Sequence, residues 1–367
     1  MDGADLALVQ EIAGQIHDQA SWKSVLLNRA RELDAAGDSK NAMAFYRMAE
    51  FYMDWDDPDA LSSWKRAREL FFEYYADFFA GEQPVVERFD IPYESYTMPC
   101  MKLNACHPDA ISYTKSPRGI IVMNGGFDSS YEEFFPPMEY LRENGYTVYL
   151  FEGPGQGACI RLHGAPLTME WEKPVKAVLA YFALEDVCLI GASLGGYYAP
   201  RAAAFEDRIT SFVSWPAFPS LRSNINASWK GTWRMLHGVA KLFGGAIDKS
   251  FQKAEKAGKR TALSDFLKTY YHRLGCSSVP ELMAVFDSMD MASFGAQITQ
   301  DALLLGAEKD DIVKASIADE QVSAMTNARS VTVRILTEAE QASDHCNCGN
   351  QKLAMDVILG WLDGLRK

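Results

Sequence analysis

Apolar and polar positions follow three different rhythms along this chain, and each rhythm predicts a different kind of element. Up to about residue 81 the apolar residues recur at helical spacing. In SWKSVLLNRARELDAAG they fall at Trp22, Val25, Leu26 and Leu33, and the segment stops at a glycine. SKNAMAFYRMAEFYMDW and PDALSSWKRARELFFEYYADFFAG continue with similar spacing, the second opening near Pro58 and closing at Gly81. No regular period joins them, so a small helical domain over residues 1–81 is expected instead of a repeat array.

From Gln83 the rhythm changes. PVVERFDIPYESYTMPCMKLNACH alternates, which predicts two antiparallel strands with a turn near Pro92. Short continuous apolar runs then appear in RGIIVMNGG, YTVYLFEGPGQG, DVCLIGASLGG and RITSFVSWP, separated by helical stretches such as YEEFFPPMEYLRENG and WEKPVKAVLAYFALE. Continuous runs between helices point to an α/β fold whose mostly parallel sheet is covered on both faces. Residues 216–298 break this alternation and are rich in helix formers and aromatics, so they read as an inserted helical cap. The α/β rhythm resumes with QDALLLGAEKDDIV, RSVTVRILTEA and a closing helix in QKLAMDVILGWLDGLRK. The expected division is 1–81 helical domain, 82–215 first part of the core, 216–298 cap and 299–367 second part of the core.

Composition narrows the partners. With 48% apolar and 23% charged residues the chain has the balance of a well-packed globular protein. A net charge of −13 argues against nucleic acid or an anionic membrane as the main partner. The N-terminal MDGADLALVQEIAGQIHDQA lacks the basic and apolar regions of a signal peptide. No uncharged apolar run reaches the roughly 18 residues that a bilayer span needs. Seven scattered cysteines without framework spacing suggest reduced thiols and a cytoplasmic setting. The pair in HCNCGN has one intervening residue, which fits neither a CxxC redox site nor a usual zinc knuckle, so no metal and no cofactor is expected.

Chemistry concentrates in GASLGG. Gly191-Ala192-Ser193-Leu194-Gly195 fits G-x-S-x-G with an apolar strand before it and a helical stretch after it. Small flanking residues let strand and helix approach closely, so the serine is held on a strained turn at the sheet's carboxyl edge. There the new helix offers unsatisfied N–H groups. A glycine-rich β–α turn, such as a phosphate-binding one, is the alternative. A nucleophilic serine needs a base and the base an orienting acid. Of six histidines only His345 lies beyond the last two strand signals, in the loop EAEQASDHCNCGN. His107 and His163 could flank a pocket; His17, His237 and His272 fall in helical segments. The acid should follow ALLLGAEK, where Asp310 fits the spacing and Asp311 is the neighbouring alternative. For the oxyanion, one N–H should come from Leu194. The second should come from Phe127 in the loop NGGFD, unless that loop is a plain glycine turn.

These residues match the α/β-hydrolase fold over roughly residues 83–367. NGGFDSSYEEFF, FEGPGQGAC, GASLGGYYAPRAA and DHCNCGN together resemble a subfamily with a helical N-terminal domain. It includes dihydroxypseudooxynicotine hydrolase and the fungal polyketide-shortening hydrolases of pigment biosynthesis. The resemblance implies a Ser–His–Asp triad at Ser193, His345 and Asp310, and hydrolysis of a carbon–carbon bond beside a ketone. It also implies a small aromatic or polyketide-like substrate held between core and helical segments. Glu152 departs from the aspartate more usual in that loop. A carboxylesterase or lactonase, or an acyl-transfer or cyclisation enzyme, would use the same triad; a catalytically silent ligand receptor is a reading of another class. Trp215, Phe218, Trp229 and Trp233 are candidates for an aromatic pocket, with plain packing as the alternative. A homodimer through the aromatic-rich N-terminal helices is a further expectation.

Overall fold

The continuous apolar runs become the middle of one eight-stranded sheet. In the computed structural model, which describes residues 3–109, 115–228, 233–259 and 261–366, the strands are β1 (Val86–Tyr93), β2 (Tyr96–Leu103), β3 (Gly119–Asn124) and β4 (Tyr146–Phe151), then β5 (Val187–Ala192), β6 (Ile209–Trp215), β7 (Asp301–Ala307) and β8 (Ser330–Leu336). Their order is β1-β2-β4-β3-β5-β6-β7-β8. Strands β4, β5 and β7 are buried along their whole length, as strands with helices on both faces must be. Burying each Val, Leu or Ile there stabilises the fold by roughly 1.5–3 kcal/mol. At the two edges, β1 and β8 carry mixed polar and apolar positions.

Every pairing from β4 through β3 to β8 is parallel, while β1 with β2 and β2 with β4 are antiparallel. The hairpin turn falls at Glu94 and Ser95, since Tyr93 pairs with Tyr96. Pro92 therefore lies inside β1, paired with Thr97, and not in the turn. This placement, close to the expected one, has a simple cause. An edge strand tolerates a residue without an N–H, and the left-handed conformation the turn needs is taken by Glu94, at φ 49°.

This topology gathers the chemistry. Asn124 pairs with Gly191 and Ala192 with Trp215, so the carboxyl ends of β3, β5 and β6 lie side by side. The ends of β7 and β8 follow along the same edge, the place where open α/β sheets bind ligands. Between β6 and β7 the chain forms the helices Leu221–Ser228, Trp233–Lys256, Ala262–Leu274 and Val279–Ser288. Trp229 lies outside the described residues, as does the side chain of Trp233.

The chain falls into two compact units, Met1–Val85 with Thr261–Thr269, and Val86–Arg260 with Tyr270–Lys367. In the first, the helices Gln19–Ala35, Ser39–Phe51 and Ala60–Tyr74 bury Leu26, Leu27, Ala42, Phe45, Trp64 and Phe71. Asp18 starts the first of these helices by accepting the Ser21 N–H, and Asp38 starts the second by accepting that of Asn41. Lys268 reaches Asp56 at 2.7 Å and Asp54 at 3.6 Å, which ties the segment 261–269 to the N-terminal helices. Among the described residues no helix is long and apolar enough to cross a membrane.

Candidate active site

Strand β5 ends on Ala192, and Ser193 follows with φ at 57°, in the left-handed region that a residue with a Cβ rarely occupies. Two glycines make the turn sterically feasible. A Cβ on Gly191 would stand 2.0 Å from the Gly195 carbonyl oxygen, and one on Gly196 would stand 1.9 Å from that of Pro216. Strand, helix Gly195–Ala203 and the chain after β6 thus close to backbone distance, which is why this turn carries glycine on both sides of the serine. The Ser193 N–H donates to the Trp215 carbonyl at 2.6 Å, anchoring the strained residue to the end of β6.

From this turn a chain of hydrogen bonds runs through two further loops. Ser193 Oγ lies 3.0 Å from His345 Nε2, and His345 Nδ1 lies 2.8 Å from Asp310 Oδ2. The other oxygen of Asp310 accepts the backbone N–H groups of Ile312 (2.9 Å) and Val313 (2.8 Å), so the buried carboxylate is satisfied and fixed in direction. Asp311, next to it, points to solvent. The structure therefore brings Ser193, His345 and Asp310 together, and Asp311 stays apart.

His345 begins a loop with two more left-handed residues, Cys346 at φ 50° and Asn347 at φ 53°. Gly349 follows at φ 100°, where a Cβ would stand 2.8 Å from the Gln341 carbonyl oxygen, but Cys346 and Asn347 themselves are held by their side chains. Buried Asn347 accepts the Trp215 indole N–H at 2.9 Å and donates to the Ala342 carbonyl at 2.7 Å. The Cys346 thiol donates to the same Trp215 carbonyl that takes the Ser193 N–H. Burial lowers the His345 pKa, whereas the adjoining Cys346 and the Asp310 carboxylate raise it, and the net direction is upward from 6.5. Because the thiol is a donor here, the carboxylate is the physical source of that rise.

The NGGFD loop after β3 packs against the serine turn. A Cβ on Gly126 would stand 2.7 Å from both Leu194 N and Ser193 Cβ. Neither Leu194 N–H nor Phe127 N–H finds an acceptor among the described residues. Leu194 opens the helix Gly195–Ala203, and Phe127 follows Gly126, the residue packed against the serine turn.

Other candidates take structural places. Trp215 and Phe218 are buried, the first bonded to Asn347 and the second donating its N–H to Gln321. His163 is exposed and stacks on Tyr96; His107 accepts the Asp109 N–H at 3.2 Å. Glu152 is buried, and its carboxylate accepts Tyr131 N–H at 3.0 Å and Ala158 N–H at 2.8 Å, bracing the loop after NGGFD against the helix Gly157–His163. Among the described residues no three His, Cys, Asp or Glu side chains gather as a metal site.

Sequence reasoning missed Asn347, as well as Gln156 and Arg273, whose side chains donate to the Gly126 and Phe127 carbonyls at 3.0 and 2.8 Å. The only trace of Gln156 was a polar residue set between glycines in GPGQG.

Residues 120–348, which contain all three members of the hydrogen-bonded chain, match the model of the alpha/beta hydrolase family. The alpha/beta hydrolase psoB of Aspergillus fumigatus is 32% identical over 266 residues, 63% of this chain and 58% of its own. The 20-hydroxy-prefusarin hydrolase FUS2 of Gibberella moniliformis is 28% identical over 241 residues, 58% of this chain and 56% of its own. The chain spans about half the length of the curated relatives it matches. Among solved structures, 2,6-dihydroxy-pseudo-oxynicotine hydrolase has the same fold with a TM-score of 0.67 at 20% identity, over 98% of this chain and 93% of that one. The eight-stranded, mostly parallel sheet with its N-terminal and inserted helices is an α/β-hydrolase fold, and the chain belongs to the alpha/beta hydrolase family.

Proposed function

We propose that this chain is a serine hydrolase in which Ser193 is the nucleophile, His345 the general base and Asp310 its orienting acid. The observation that carries the reading is the continuous line Ser193 Oγ, His345 Nε2, His345 Nδ1, Asp310 Oδ2, at 3.0 and 2.8 Å. Both spacings fall in the range proton transfer needs. Asp310 holds the imidazole with its proton on Nδ1, which leaves Nε2 as the acceptor facing the serine.

In the first half-reaction His345 takes the Ser193 proton as Oγ bonds to the substrate's carbonyl carbon. The carbonyl oxygen becomes an oxyanion between the Phe127 and Leu194 N–H groups. Each such donor is worth about 3 kcal/mol of transition-state stabilisation. Collapse breaks the bond to the leaving group, which receives the proton from His345, and leaves acyl-Ser193. Water, deprotonated by His345, then adds to the acyl carbon; collapse breaks the bond to Ser193 Oγ, which takes the proton back from His345, and the acid is released.

The substrate proposed is a small aromatic or polyketide-like natural product. The bond cleaved is a carbon–carbon bond beside a ketone, where the ketone stabilises the departing carbanion. Likeness to a 2,6-dihydroxy-pseudo-oxynicotine hydrolase and a 20-hydroxy-prefusarin hydrolase supports this substrate class. The reading includes residues 216–298 as a cap over the core and a cytoplasmic setting. The test is mass spectrometry of products from aryl β-diketones, aryl esters and lactones, with Ser193→Ala alongside. Carboxylate and methyl ketone from the diketone support carbon–carbon cleavage; turnover of esters or lactones alone makes the enzyme an esterase or lactonase. Full turnover by Ser193→Ala ends the proposal.

A further inference from the structure

Four backbone polar groups flank the point where Gly126 joins Phe127, and three of them have named partners. Gly126 N–H donates to Ser129 Oγ at 2.9 Å, Gly126 O accepts from Gln156 Nε2 at 3.0 Å, and Phe127 O accepts from Arg273 Nη1 at 2.8 Å. The fourth, Phe127 N–H, is the one without an acceptor among the described residues.

In a trans peptide the carbonyl and the following N–H point in opposite directions. Whatever holds Gly126 O therefore sets the direction of Phe127 N–H. Gln156 does this with a buried amide whose own orientation is fixed. Its Oε1 accepts the Gly153 N–H at 3.1 Å, and its Nε2 donates to Gly125 O at 2.7 Å as well as to Gly126 O. Flipping that amide would set an oxygen against two carbonyl oxygens, so only one orientation is stable. Gln156 itself sits at the start of the helix Gly157–His163, and the next N–H, of Gly157, donates to Ser129 O at 3.0 Å.

Arg273 works from the other side. Besides Phe127 O it reaches Gly155 O at 3.4 Å, and its guanidinium lies over the Phe127 ring at 5.2 Å. The Phe127 ring in turn packs on Tyr270 at 4.9 Å. Both carbonyls that bracket Phe127 are thus held, one by a glutamine 30 residues away and one by an arginine 146 residues away.

We propose that Gln156 is a positioning residue for the oxyanion site: by holding Gly125 O and Gly126 O it fixes the Phe127 N–H as a preorganised donor beside Ser193. Arg273 completes the bracket. This rests on the reading of Ser193 as nucleophile. Preorganised donors help because they need no reorganisation when charge develops, so loss of the bracket weakens the reaction at Ser193 without removing a group that touches substrate.

The test uses the full chain and two probes that need no knowledge of the natural substrate. An alkyl fluorophosphonate reports the reaction: Ser193 Oγ bonds to phosphorus, fluoride leaves and the serine proton passes to His345. An arylboronic acid reports affinity for a tetrahedral anion at the same site. Gln156→Met keeps the volume and removes the donor. It should slow labelling by about tenfold to a hundredfold and weaken boronate binding in proportion. The concentration of fluorophosphonate that gives half-maximal rate should stay unchanged. Gln156→Glu should be slower still, because a carboxylate then faces two carbonyl oxygens. Should Gln156→Met fail to fold, Arg273→Met loosens the same donor through the other carbonyl, and the same two constants decide. A folded variant with wild-type labelling rate and boronate affinity overturns the inference, even if its Tm falls, since a purely structural role predicts that pattern. Absence of Ser193 labelling in the unaltered protein removes the hydrolase reading itself and is distinguishable from the first failure.

Discussion

The turn that presents Ser193 and the loop that presents His345 meet the same physical problem in opposite ways. Both contain residues with side chains in left-handed conformation, Ser193 in one and Cys346 with Asn347 in the other. Such residues cost of order 1–3 kcal/mol each and persist only where the surroundings over-determine them. Around Ser193 the strain is held by absence: glycines at 191 and 196 let backbone touch backbone. Around His345 it is held by presence, with Asn347 bonded to Trp215 and Ala342 and with Cys346 bonded to Trp215. The first solution is local in sequence. The second depends on a partner 132 residues away.

The largest effect that bears on this comparison is chemical. Asp310→Asn should lower kcat by about 10⁴ with the fold intact, because the asparagine favours the wrong imidazole tautomer. It also removes the charge that raises the His345 pKa. His345 must be neutral to accept the serine proton, so activity rises with pH through its pKa. In the unaltered protein the acid limb of kcat/KM should lie above pH 6.5, and in Asp310→Asn that limb should move to lower pH. A limb that stays in place breaks the assignment of Asp310 as the source of the shift.

Next in size is a test of the turn held by glycine. Gly196→Ala places a methyl against a backbone oxygen at 1.9 Å, where no side chain can yield. A loss of about 3 kcal/mol in urea unfolding is expected, with activity falling alongside. The loop held by side chains should respond less. Asn347→Ala removes three buried hydrogen bonds and leaves the Trp215 indole N–H unpaired, for about 2 kcal/mol. Its distinctive sign should be a drop in kcat larger than the change in KM, since the imidazole loses its support. If Asn347→Ala costs more stability than Gly196→Ala, the contrast drawn here is reversed. The smallest effect belongs to Asp311→Asn, at an exposed position, which should change stability by less than about 0.5 kcal/mol and leave turnover at the wild-type level.

The same contrast explains what the sequence made legible. The eight strands, the serine turn and the loop after β8 could be read because each is written in a few adjacent residues: an apolar run, a glycine pattern, the last histidine. Asp310 could be ranked above Asp311 from spacing alone, and the structure sets only Asp310 against His345. The hairpin turn was legible near Pro92, while its left-handed residue, Glu94, was not. Gln156, Asn347 and Arg273 gave no local sign of their partners. Their bonds span 30, 132 and 146 residues, and only strand order brings those positions together. Nor could a linear pattern associate residues 261–269 with the N-terminal helices, as the Lys268 ion pairs do.

The Trp215 carbonyl receives the Ser193 N–H and the Cys346 thiol alike, and so stands between the two presentations of the nucleophile and the base. A peptide oxygen is common to all twenty amino acids. Alanine scanning would report on the indole at this position and pass over the acceptor entirely, whereas replacing the Ser193 amide by an ester would expose it. The junction most shared by the two loops is thus one that codon changes cannot delete.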